Sequence, residues 1–535
     1  PTYFGYTEGQ TGIWRPKKVT GVTYGNNGHY LDFKDNTSTT TLGYDRSGNG
    51  LHFSNNNLSV ASGVGNDSMK DTAEALLSAF REKKLSVKEY AEQVIEQVAL
   101  HRDLGAILKF DEEKLVEAAV SADSRWRSGT ARSLEGLMLG VKDNIDTIDL
   151  ETTGGTSCLN SPAPENARSL QNLLNNGALV AAKTNLHELA YGITSNNYST
   201  GAVHNPWKNG YIAGGSSGGT AAAVAAGIFP AGLGTDTGGS VRIPAALCGI
   251  AGFRPTIGRY PAGGIAPIAM TRDTVGAMAH TVHDITLLDS VMANEKPSFR
   301  IPPAKSFRIG VPRTVLWEDL DPGVSEGCEQ VLELMSAAGV TLVEDDLEDV
   351  FTDCADASLP IALYETMKEL PDYANFRGIS FESLLEGVRS PDVRGIIESQ
   401  LGEDKVTEEI YRNAIDVIRP RMQTQWEDYF RKHRLDAVIF PTTPVTARPI
   451  GQDETIVVNG EDRPTFPTFA RNTEPGSVLG IPGISLPVAL IDGLPYGVEL
   501  DGLAGQDRAL LELAASMEEV FTPIAERKFT VQSSR

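Results

Sequence analysis

The chain has 535 residues, of which 41 % are hydrophobic and 22 % are charged, so it can bury a large core and does not have the composition of a disordered protein. Seventy acidic residues against 47 basic residues give a formal net charge of −23, which argues against nucleic acid or an anionic membrane as a partner. Four scattered cysteines without a CxxC pair predict free thiols in a reducing, cytoplasmic location, and the eight histidines form no HExxH zinc motif. No run approaches the eighteen apolar residues of a membrane span.

Residues 1–68 differ in composition from the rest of the chain. They are rich in Gly, Asn, Ser, Thr and aromatic residues, with short alternating runs broken by Asn-Gly and Ser-Gly, which predicts short strands and turns. The segment weakly resembles pieces of phage tail and lectin-like β-sandwich proteins, and we expect a short β-rich or disordered extension without a signal peptide. The alternative is a glycan- or surface-binding module that uses Tyr3, Trp14 or Tyr30, with the rest of the chain as its passenger.

Helical periodicity begins at Met69, which we interpret as the original start of a domain covering 69–535. Within this first helical region, Ser86 and Glu89 have the spacing of a capping box, which predicts the start of a helix.

Short apolar runs follow, each ending in polar residues, and they predict buried strands of a sheet covered by helices: GLMLGVKD, GALVAAKTN, GIFPAGLGTD and, at 307–312, FRIGVP. The block from about 315 to 432 is charged and helical. Strand-like runs return in DAVIFPTT, GISLPVAL and YGVELDG, before a closing helix near 507–520. We expect these C-terminal strands to rejoin the sheet that begins near residue 135, with the helical block as an insertion.

The stretch AGGSSGGTAAAVAAG, residues 213–227, allows three interpretations. A flexible linker would separate domains, but the apolar runs on both flanks belong to one core. Residues 214–218 also satisfy G-x-S-x-G, the nucleophile elbow of α/β-hydrolases, which requires a preceding strand, whereas HNPWKNGYIAGG has the residues of a loop. That elbow would need a catalytic histidine as well, and nothing local distinguishes His280, His283 or His433.

The third interpretation needs a second serine, Ser240, in GTDTGGSVRIP. The two glycines before it can bend the backbone and expose N–H groups that hold an oxyanion. Lys142, at the end of an apolar run, is a candidate base because burial lowers the pKa of a lysine. The competing interpretation is that Lys142 forms an ion pair with Asp143 or Asp146.

Five sequence blocks occur in order along the chain: GVKDNID, KTNLHELAYG, AGGSSGGTAAAVAAG, GTDTGGSVRIPAALCGIAGFRPTIGRYP, and finally GIPGISLPVA with GLPYGVELDG. Together they resemble the amidase signature family over about residues 70–520. The resemblance implies an α/β fold, an αβα sandwich around a large mixed β-sheet, and hydrolysis of a carboxamide C–N bond without metal or organic cofactor. It also implies a Ser-cisSer-Lys triad in which Ser240 is the nucleophile, Ser216 the bridging serine and Lys142 the base.

The resemblance assigns roles to further residues. The oxyanion-binding N–H groups are expected on Thr237, Gly238, Gly239 and Ser240. Support of these loops is expected from Ser217, Asp236 and Arg242, although each could equally be an ordinary structural hydrogen-bonding residue. The residues predicted to line the substrate pocket are Tyr191, Ile193 and Thr194, and Tyr191 also fits plain core packing.

The substrate class is predicted from smaller differences. The segment SVRIPA, residues 240–245, stands where the glutamine-dependent tRNA amidotransferase subunit usually has SIRQPA, and Ile243 replaces the glutamine. The blocks RNTEPGSVLGIPGISLP and LPYGVELDG are most similar to mandelamide and indoleacetamide hydrolases, which implies small aryl or arylacetamide-type amides as substrates. Aryl acylamidase or esterase activity and a glutaminase-type amidotransferase subunit remain alternatives, and a homodimer is a further expectation.

Overall fold

The structure is a computed structural model, and it describes residues 5–7, 14–16, 72–403 and 405–529. The chain divides into two compact units, Pro1–Asp67 and Ser68–Arg535. In the first unit, the described residues form one antiparallel pair, β1 (Gly5–Thr7) with β2 (Trp14–Pro16). The other expectations for residues 1–68, including those for Tyr3 and Tyr30, lie outside the described residues.

The second unit is built on an 11-stranded mixed sheet with the order β14-β13-β15-β19-β18-β11-β12-β10-β4-β5-β3. The strands of this unit are β3 (Ile107–Phe110), β4 (Met138–Lys142), β5 (Leu179–Thr184), β6 (Asn196–Asn197), β7 (Gly201–Ala202), β8 (His204–Asn205), β9 (Lys208–Ile212), β10 (Ala231–Asp236), β11 (Ala251–Arg254), β12 (Thr274–Ala279), β13 (Arg308–Gly310), β14 (Thr341–Val343), β15 (Ala437–Pro441), β16 (Thr455–Val458), β17 (Glu461–Pro464), β18 (Gly483–Ile491) and β19 (Leu494–Asp501). The strands outside the large sheet form three separate two-stranded sheets.

Three parallel strands lie together in the large sheet. Strand β4 pairs in parallel with β10 on one side and with β5 on the other. All five residues of β4 and all six of β10 are buried, as expected of parallel strands covered on both faces. The carboxyl ends of parallel strands meet at one edge of a sheet, which is where ligands bind in open α/β folds. This edge is therefore where a site is expected.

Helices cover the sheet in two layers. Helices Gly218–Ala225 and Arg242–Cys248 contact each other and the strands, while Val282–Met292 and Asp507–Phe529 contact each other in the second layer. The remaining α-helices are Ala73–Arg81, Val87–Leu100, Glu112–Ser128, Arg168–Asn175, Pro322–Ala337, Glu348–Phe376, Phe381–Gly387, Pro391–Ser399, Glu408–Asn413, Arg419–His433, Thr465–Ala470 and Glu474–Leu479. Short 3-10 turns occupy Arg102–Leu104, Glu188–Ala190 and Ala304–Ser306, and a π-helical turn occupies Ala414–Ile418.

The predicted architecture is confirmed. The sheet is mixed and covered by helices, and the C-terminal strands β15, β18 and β19 join the sheet that contains β4. The capping box is present as well, since Ser86 accepts from the N–H of Glu89 and the Glu89 side chain accepts from the N–H of Ser86.

Two local expectations were incomplete. The block from about 315 to 432 is mainly helical, but it also contributes β14 to the edge of the sheet, where it pairs in parallel with β13. The expected loop before residue 213 contains a short hairpin of β8 and β9. Across the part of the chain that the structure describes, no helix is both long enough and apolar enough to cross a membrane.

Candidate active site

Lys142 is the last residue of β4 and is completely buried. Its ammonium nitrogen donates hydrogen bonds to Ser216 Oγ at 2.7 Å and to Thr235 Oγ1 at 2.8 Å. Thr235 lies near the end of the neighbouring parallel strand β10, so the edge of the sheet brings these groups together. Lys142 thus lies between two hydroxyl groups that come from different segments of the chain.

The electrostatic environment of Lys142 favours the neutral amine. Burial lowers its pKa to about 7, although the more distant charges of Asp236 and Asp273 oppose the shift. The predicted ion pairs with the neighbouring carboxylates do not form. Asp143 pairs with Lys183, and Asp146 accepts a hydrogen bond from the guanidinium of Arg377. The competing interpretation of Lys142 as one half of an ion pair with either aspartate is wrong.

The serine-glycine stretch packs tightly against the end of β4. The peptide bond between Gly215 and Ser216 is cis, and the Ser216 side chain is fully buried. The Ser216 carbonyl accepts a hydrogen bond from the N–H of His187 at 3.1 Å. At Gly219 a Cβ atom would overlap the backbone of Asn185, so only glycine allows this close approach. Residues 213–224 and 227 are buried and residues 225–226 are partly buried, which excludes a flexible linker.

The nucleophile-elbow interpretation also fails in the structure. The strand before the serines, β9, belongs to a separate two-stranded sheet and not to the large one. Ser216 contacts a lysine, whereas His283 pairs with Glu74 and His433 pairs with Asp345. The side chain of Ser216 therefore has the wrong neighbours for a Ser-His-Asp triad.

Ser217 connects the two predicted serine motifs. Its N–H donates to the carbonyl of Ser240 at 3.1 Å, and its hydroxyl donates to the carbonyl of Thr235 at 3.2 Å. The N–H of Thr235 donates back to Ser217 Oγ at 3.3 Å. These bonds fix the serine-glycine stretch against the segment that carries Ser240.

Asp236, the last residue of β10, shapes the turn that follows. Its carboxylate accepts from the N–H groups of Gly239 at 2.9 Å and Val241 at 3.1 Å, and from the guanidinium groups of Arg242 and Arg254 at 2.9–3.0 Å. Burial alone raises the pKa of Asp236, but the two arginine charges outweigh burial and hold the pKa well below its usual range. An ionised carboxylate at this position keeps the turn in one conformation.

Arg242 links this turn to the C-terminal part of the sheet. It donates to Glu499 Oε1 at 2.5 Å and to Ser477 Oγ at 2.7 Å. Glu499 and the neighbouring Asp501 both lie on β19, and burial raises the pKa of both carboxyl groups. Asp236 and Arg242 thus act together as a structural support of the turn.

The backbone N–H groups of this turn are not equivalent. The N–H of Gly239 is used by Asp236, and Gly239 has a φ of 122°, which favours glycine. The N–H groups of Thr237, Gly238 and Ser240 have no acceptor among the residues that the structure describes. The same three residues line a cavity, whereas Gly239 does not. Three of the four predicted oxyanion donors are thus free to bind a ligand.

The cavity beside Ser240 has a volume of about 320 Å³. Its apolar lining includes Tyr191, Ile193, Ile268, Leu363, Ile396 and Phe466. The hydroxyl of Tyr191 donates to Thr366 Oγ1 at 2.7 Å, and both residues line the cavity. Thr194, in contrast, does not line this cavity, and its hydroxyl donates to Asp453 at 2.9 Å.

Several residues of the site were not predicted from the sequence. Thr235 binds Lys142, Asp273 accepts from the Thr237 hydroxyl at 2.5 Å, and Arg272 donates to the Thr237 carbonyl at 3.1 Å. Burial raises the pKa of Asp273 to about 6. Because these contacts join segments that are distant in sequence, no local pattern could have identified the partners.

Within the described ranges, no group of three or more His, Cys, Asp or Glu side chains is arranged to hold a metal ion. The four cysteines are free thiols: Cys158, Cys248, Cys328 and Cys354.

Comparisons with known proteins agree with the observed fold. Residues 89–511 match the family "Amidase". An indoleacetamide hydrolase from Agrobacterium vitis is 44 % identical over 448 residues, covering 83 % of this chain and 95 % of that protein. A mandelamide hydrolase from Pseudomonas putida is 38 % identical over 465 residues, covering 82 % of this chain and 89 % of that protein.

Solved structures are similar over the same part of the chain. A crystal structure of an amidase has a TM-score of 0.77 at 31 % identity, covering 84 % of this chain and all of that chain. A peptide amidase from Stenotrophomonas maltophilia has a TM-score of 0.73 at 26 % identity, covering 84 % and 96 %. The fold and the comparisons together define a hydrolase that acts on amide C–N bonds. The chain belongs to the amidase signature family.

Proposed function

We propose that this amidase converts small arylacetamide-type primary amides to the carboxylic acid and ammonia through an acyl-enzyme on Ser240. The named substrates of the relatives, indoleacetamide and mandelamide, both carry a primary carboxamide one carbon away from an aromatic ring. The cavity beside Ser240 supports this proposal, because its apolar wall suits an aromatic ring and its volume of about 320 Å³ suits a small ligand.

The proton transfer begins at Lys142. A lysine with a pKa of about 7 is substantially neutral at neutral pH and can act as a base. Neutral Lys142 accepts the proton of the Ser216 hydroxyl, and Ser216 accepts the proton of the Ser240 hydroxyl as Ser240 Oγ attacks the amide carbon. The hydrogen bond of 2.7 Å between Lys142 and Ser216 supports the first half of this relay.

The tetrahedral intermediate carries its negative charge on the former carbonyl oxygen. The free N–H groups of Thr237, Gly238 and Ser240 are the donors for this oxygen. Loss of one such donor typically costs about 10²–10³ in kcat. Gly239 contributes indirectly, because its bond to Asp236 holds the turn in the conformation that presents the other three groups.

The second half of the reaction returns the protons. The ammonium of Lys142, acting through Ser216, protonates the leaving nitrogen as the C–N bond breaks and ammonia departs. A water molecule then gives a proton to the same relay and attacks the acyl-enzyme, which releases the carboxylic acid and restores Ser240. The relay of Lys142 and Ser216 therefore serves both halves of the reaction, with the leaving nitrogen and the attacking water as the groups that take and give protons.

The observation that carries this proposal is the buried, hydrogen-bonded pair of Lys142 and Ser216, whose neighbour Ser217 is bonded to Ser240 at the cavity. The test is ammonia release from a panel of arylacetamides, aliphatic amides, glutamine and aryl esters. Ser240→Ala is expected to lower kcat/KM by at least about 10³-fold with an unchanged circular dichroism spectrum. After acid quenching, the wild type is expected to show the added mass of the acyl group, and the variant is not.

The matched control is Ser128→Ala, which removes an exposed serine hydroxyl at the end of helix Glu112–Ser128. This control is expected to retain wild-type kinetics. Turnover by Ser240→Ala at a rate near that of the wild type would overturn the assignment of the nucleophile. A preference for glutamine or for aliphatic amides over every arylacetamide would overturn the substrate class.

A further inference from the structure

One acidic side chain lines the largely apolar cavity described above. Glu474 begins helix Glu474–Leu479, and its side chain is 18 % exposed. It lies directly beside the oxyanion-binding turn, since a Cβ atom on Gly238 would overlap Glu474 Oε1. A carboxylate in this position needs hydrogen-bond or ion-pair partners, because burying an unpaired charge in an apolar wall is costly.

The two carboxylate oxygens of Glu474 have different surroundings. Oε2 accepts a hydrogen bond from the Ser358 hydroxyl and pairs with Arg272 Nη2 at 3.3 Å. Oε1 has no hydrogen-bond donor among the residues that the structure describes. One oxygen therefore anchors the side chain, and the other is an unused acceptor at the cavity.

The anchor itself is rigid. Arg272 is almost fully buried and also donates to the carbonyl of Thr237 at 3.1 Å and to the carbonyl of Ser358 at 2.9 Å. Its guanidinium group thus holds Glu474 in a fixed position relative to the turn at 237–240. An acceptor that is already positioned before the ligand arrives loses little conformational freedom on binding, which favours a specific hydrogen bond.

The orientation of the bound substrate follows from the proton relay of Lys142 and Ser216, so this inference rests on the proposed function. The leaving nitrogen must approach Ser216, because Ser216 delivers its proton. With the carbonyl oxygen on the N–H groups of the turn, the acyl part extends into the cavity that Glu474 lines. The free oxygen of Glu474 therefore faces the acyl part of the substrate.

We propose that Glu474 Oε1 accepts a hydrogen bond from an N–H or O–H group on the acyl part of the substrate. The enzyme accordingly selects arylacetamides that carry such a donor over arylacetamides of the same shape that lack it. A site built around a polar partner rejects the analogue without that partner because the buried acceptor is then left unpaired.

The experiment compares two amides of nearly equal shape, indole-3-acetamide and benzothiophene-3-acetamide, which differ in the presence of the ring N–H. The measured quantity is the ratio of their kcat/KM values in the wild type, in Glu474→Gln and in Glu474→Met. We expect the ratio to fall by about 10- to 100-fold in Glu474→Met, the range for a hydrogen bond to a charged group. Glu474→Gln, which keeps a neutral acceptor and a partner for Arg272, is expected to give an intermediate ratio.

The matched control is Glu369→Gln, which removes a half-buried carboxylate of helix Glu348–Phe376 that lines a different cavity. This control is expected to keep the wild-type ratio. An unchanged ratio in both Glu474 variants would overturn the proposal. An equal loss of activity toward both amides would overturn it too, because Glu474 would then act through Arg272 on the turn and not on the substrate.

A binding measurement separates this inference from the proposed function. In a Ser240→Ala background, calorimetric titration with the two amides reports recognition without turnover. We expect the indole amide to bind about tenfold or more tightly than its analogue, and Glu474→Met to remove that difference. Such a result supports the role of Glu474 even if the nucleophile assignment fails. Equal binding of the two amides to the Ser240→Ala protein with Glu474 intact would overturn the role of Glu474.

Discussion

Two buried lysines on neighbouring strands have different partners, and the proposed mechanism gives only one of them a catalytic role. Lys142 on β4 and Lys183 on β5 are both fully buried. Val141 is the register partner of Lys183, so the two lysine side chains project from opposite faces of the sheet. Burial lowers the pKa of both groups. Burial alone therefore does not distinguish a catalytic lysine from a structural one.

The two lysines differ in their hydrogen-bond and ion-pair partners. Lys183 donates to the carbonyl of Ile145 at 2.6 Å and to Thr152 Oγ1 at 2.7 Å, and it lies 3.5 Å from Asp143 Oδ1. Lys142 instead has two hydroxyl partners, and no carboxylate in the described part of the chain lies within ion-pair distance of it. A lysine beside a carboxylate is held as a cation, whereas one beside hydroxyl groups can exchange a proton with them.

The largest expected effect is the loss of amidase activity when Lys142 is replaced. Lys142→Met removes the base while keeping an apolar side chain of similar length, and we expect kcat/KM on arylacetamides to fall by at least about 10³-fold. The fold should be retained, because no buried carboxylate loses its partner. Ammonia release and urea unfolding of the same sample measure the two quantities. Activity within tenfold of the wild type would show that Lys142 is not the base.

The same substitution at the other lysine should mainly affect stability. Lys183→Met leaves Asp143 buried without its counter-charge, and we expect the free energy of unfolding to fall by about 3–5 kcal/mol. Lys142→Met is the matched control, since it makes the same change at equal burial. Adding Asp143→Asn to Lys183→Met should restore part of the loss. If both single variants were equally stable, the ion pair would have no structural role.

The pH dependence tests the protonation state of Lys142. Because the base works as the neutral amine, kcat/KM is expected to rise about tenfold per pH unit below its pKa of about 7 and to level off above it. The free energy of unfolding is also expected to rise with pH, because protonated Lys142 is unfavourable in its buried position. The pKa of Lys142 is lowered from 10.5, so its cost to the folded state is full below pH 7 and shrinks as the pH rises toward 10.5.

Unfolding of the wild type and of Lys142→Met at several pH values measures this cost as a difference between the two proteins. The difference should narrow between pH 7 and pH 10. A flat kcat/KM profile between pH 5 and pH 9 would contradict a base with this pKa.

The contrast between the lysines also shows how far the sequence could predict the site. Lys142 was predicted as the base because it follows an apolar strand and belongs to a family motif. Its partner Thr235 was not predicted, since the contact joins two strands across 93 positions of sequence and no local pattern carries it. Lys183 follows the same kind of strand, so strand position alone gives no means of separating the two residues.

The fold shows the same limit. The short apolar runs that contain β4 and β10 were recognised, whereas the three residues of β14 lie in a block with a charged, helical pattern. Pro206 and the pair Asn209-Gly210 were interpreted as parts of a loop, although Pro206 lies in the turn of the β8–β9 hairpin and the pair lies inside β9. The cavity wall was predicted only near Tyr191, because Leu363 and Ile396 come from a helical block without any motif.

The smallest expected effects come from a matched pair of threonines. Thr235 Oγ1 accepts from Lys142 at 2.8 Å, and Thr152 Oγ1 accepts from Lys183 at 2.7 Å. Thr235→Val should lower kcat/KM by about tenfold, because one lost hydrogen bond of about 1–1.5 kcal/mol leaves Lys142 less well positioned toward Ser216. Thr152→Val should instead lower the free energy of unfolding by about 1–3 kcal/mol, since it leaves a buried ammonium with one acceptor fewer.

The pair is informative because the substitution, the burial and the lysine contact are the same at both sites. Kinetics and urea unfolding of both variants therefore separate the two roles directly. If Thr152→Val lowered kcat/KM as much as Thr235→Val, the support of the two lysines would be coupled through the sheet. The different roles of Lys142 and Lys183 would then not be explained by the groups that each side chain contacts, because β4 and β5 would act together on activity.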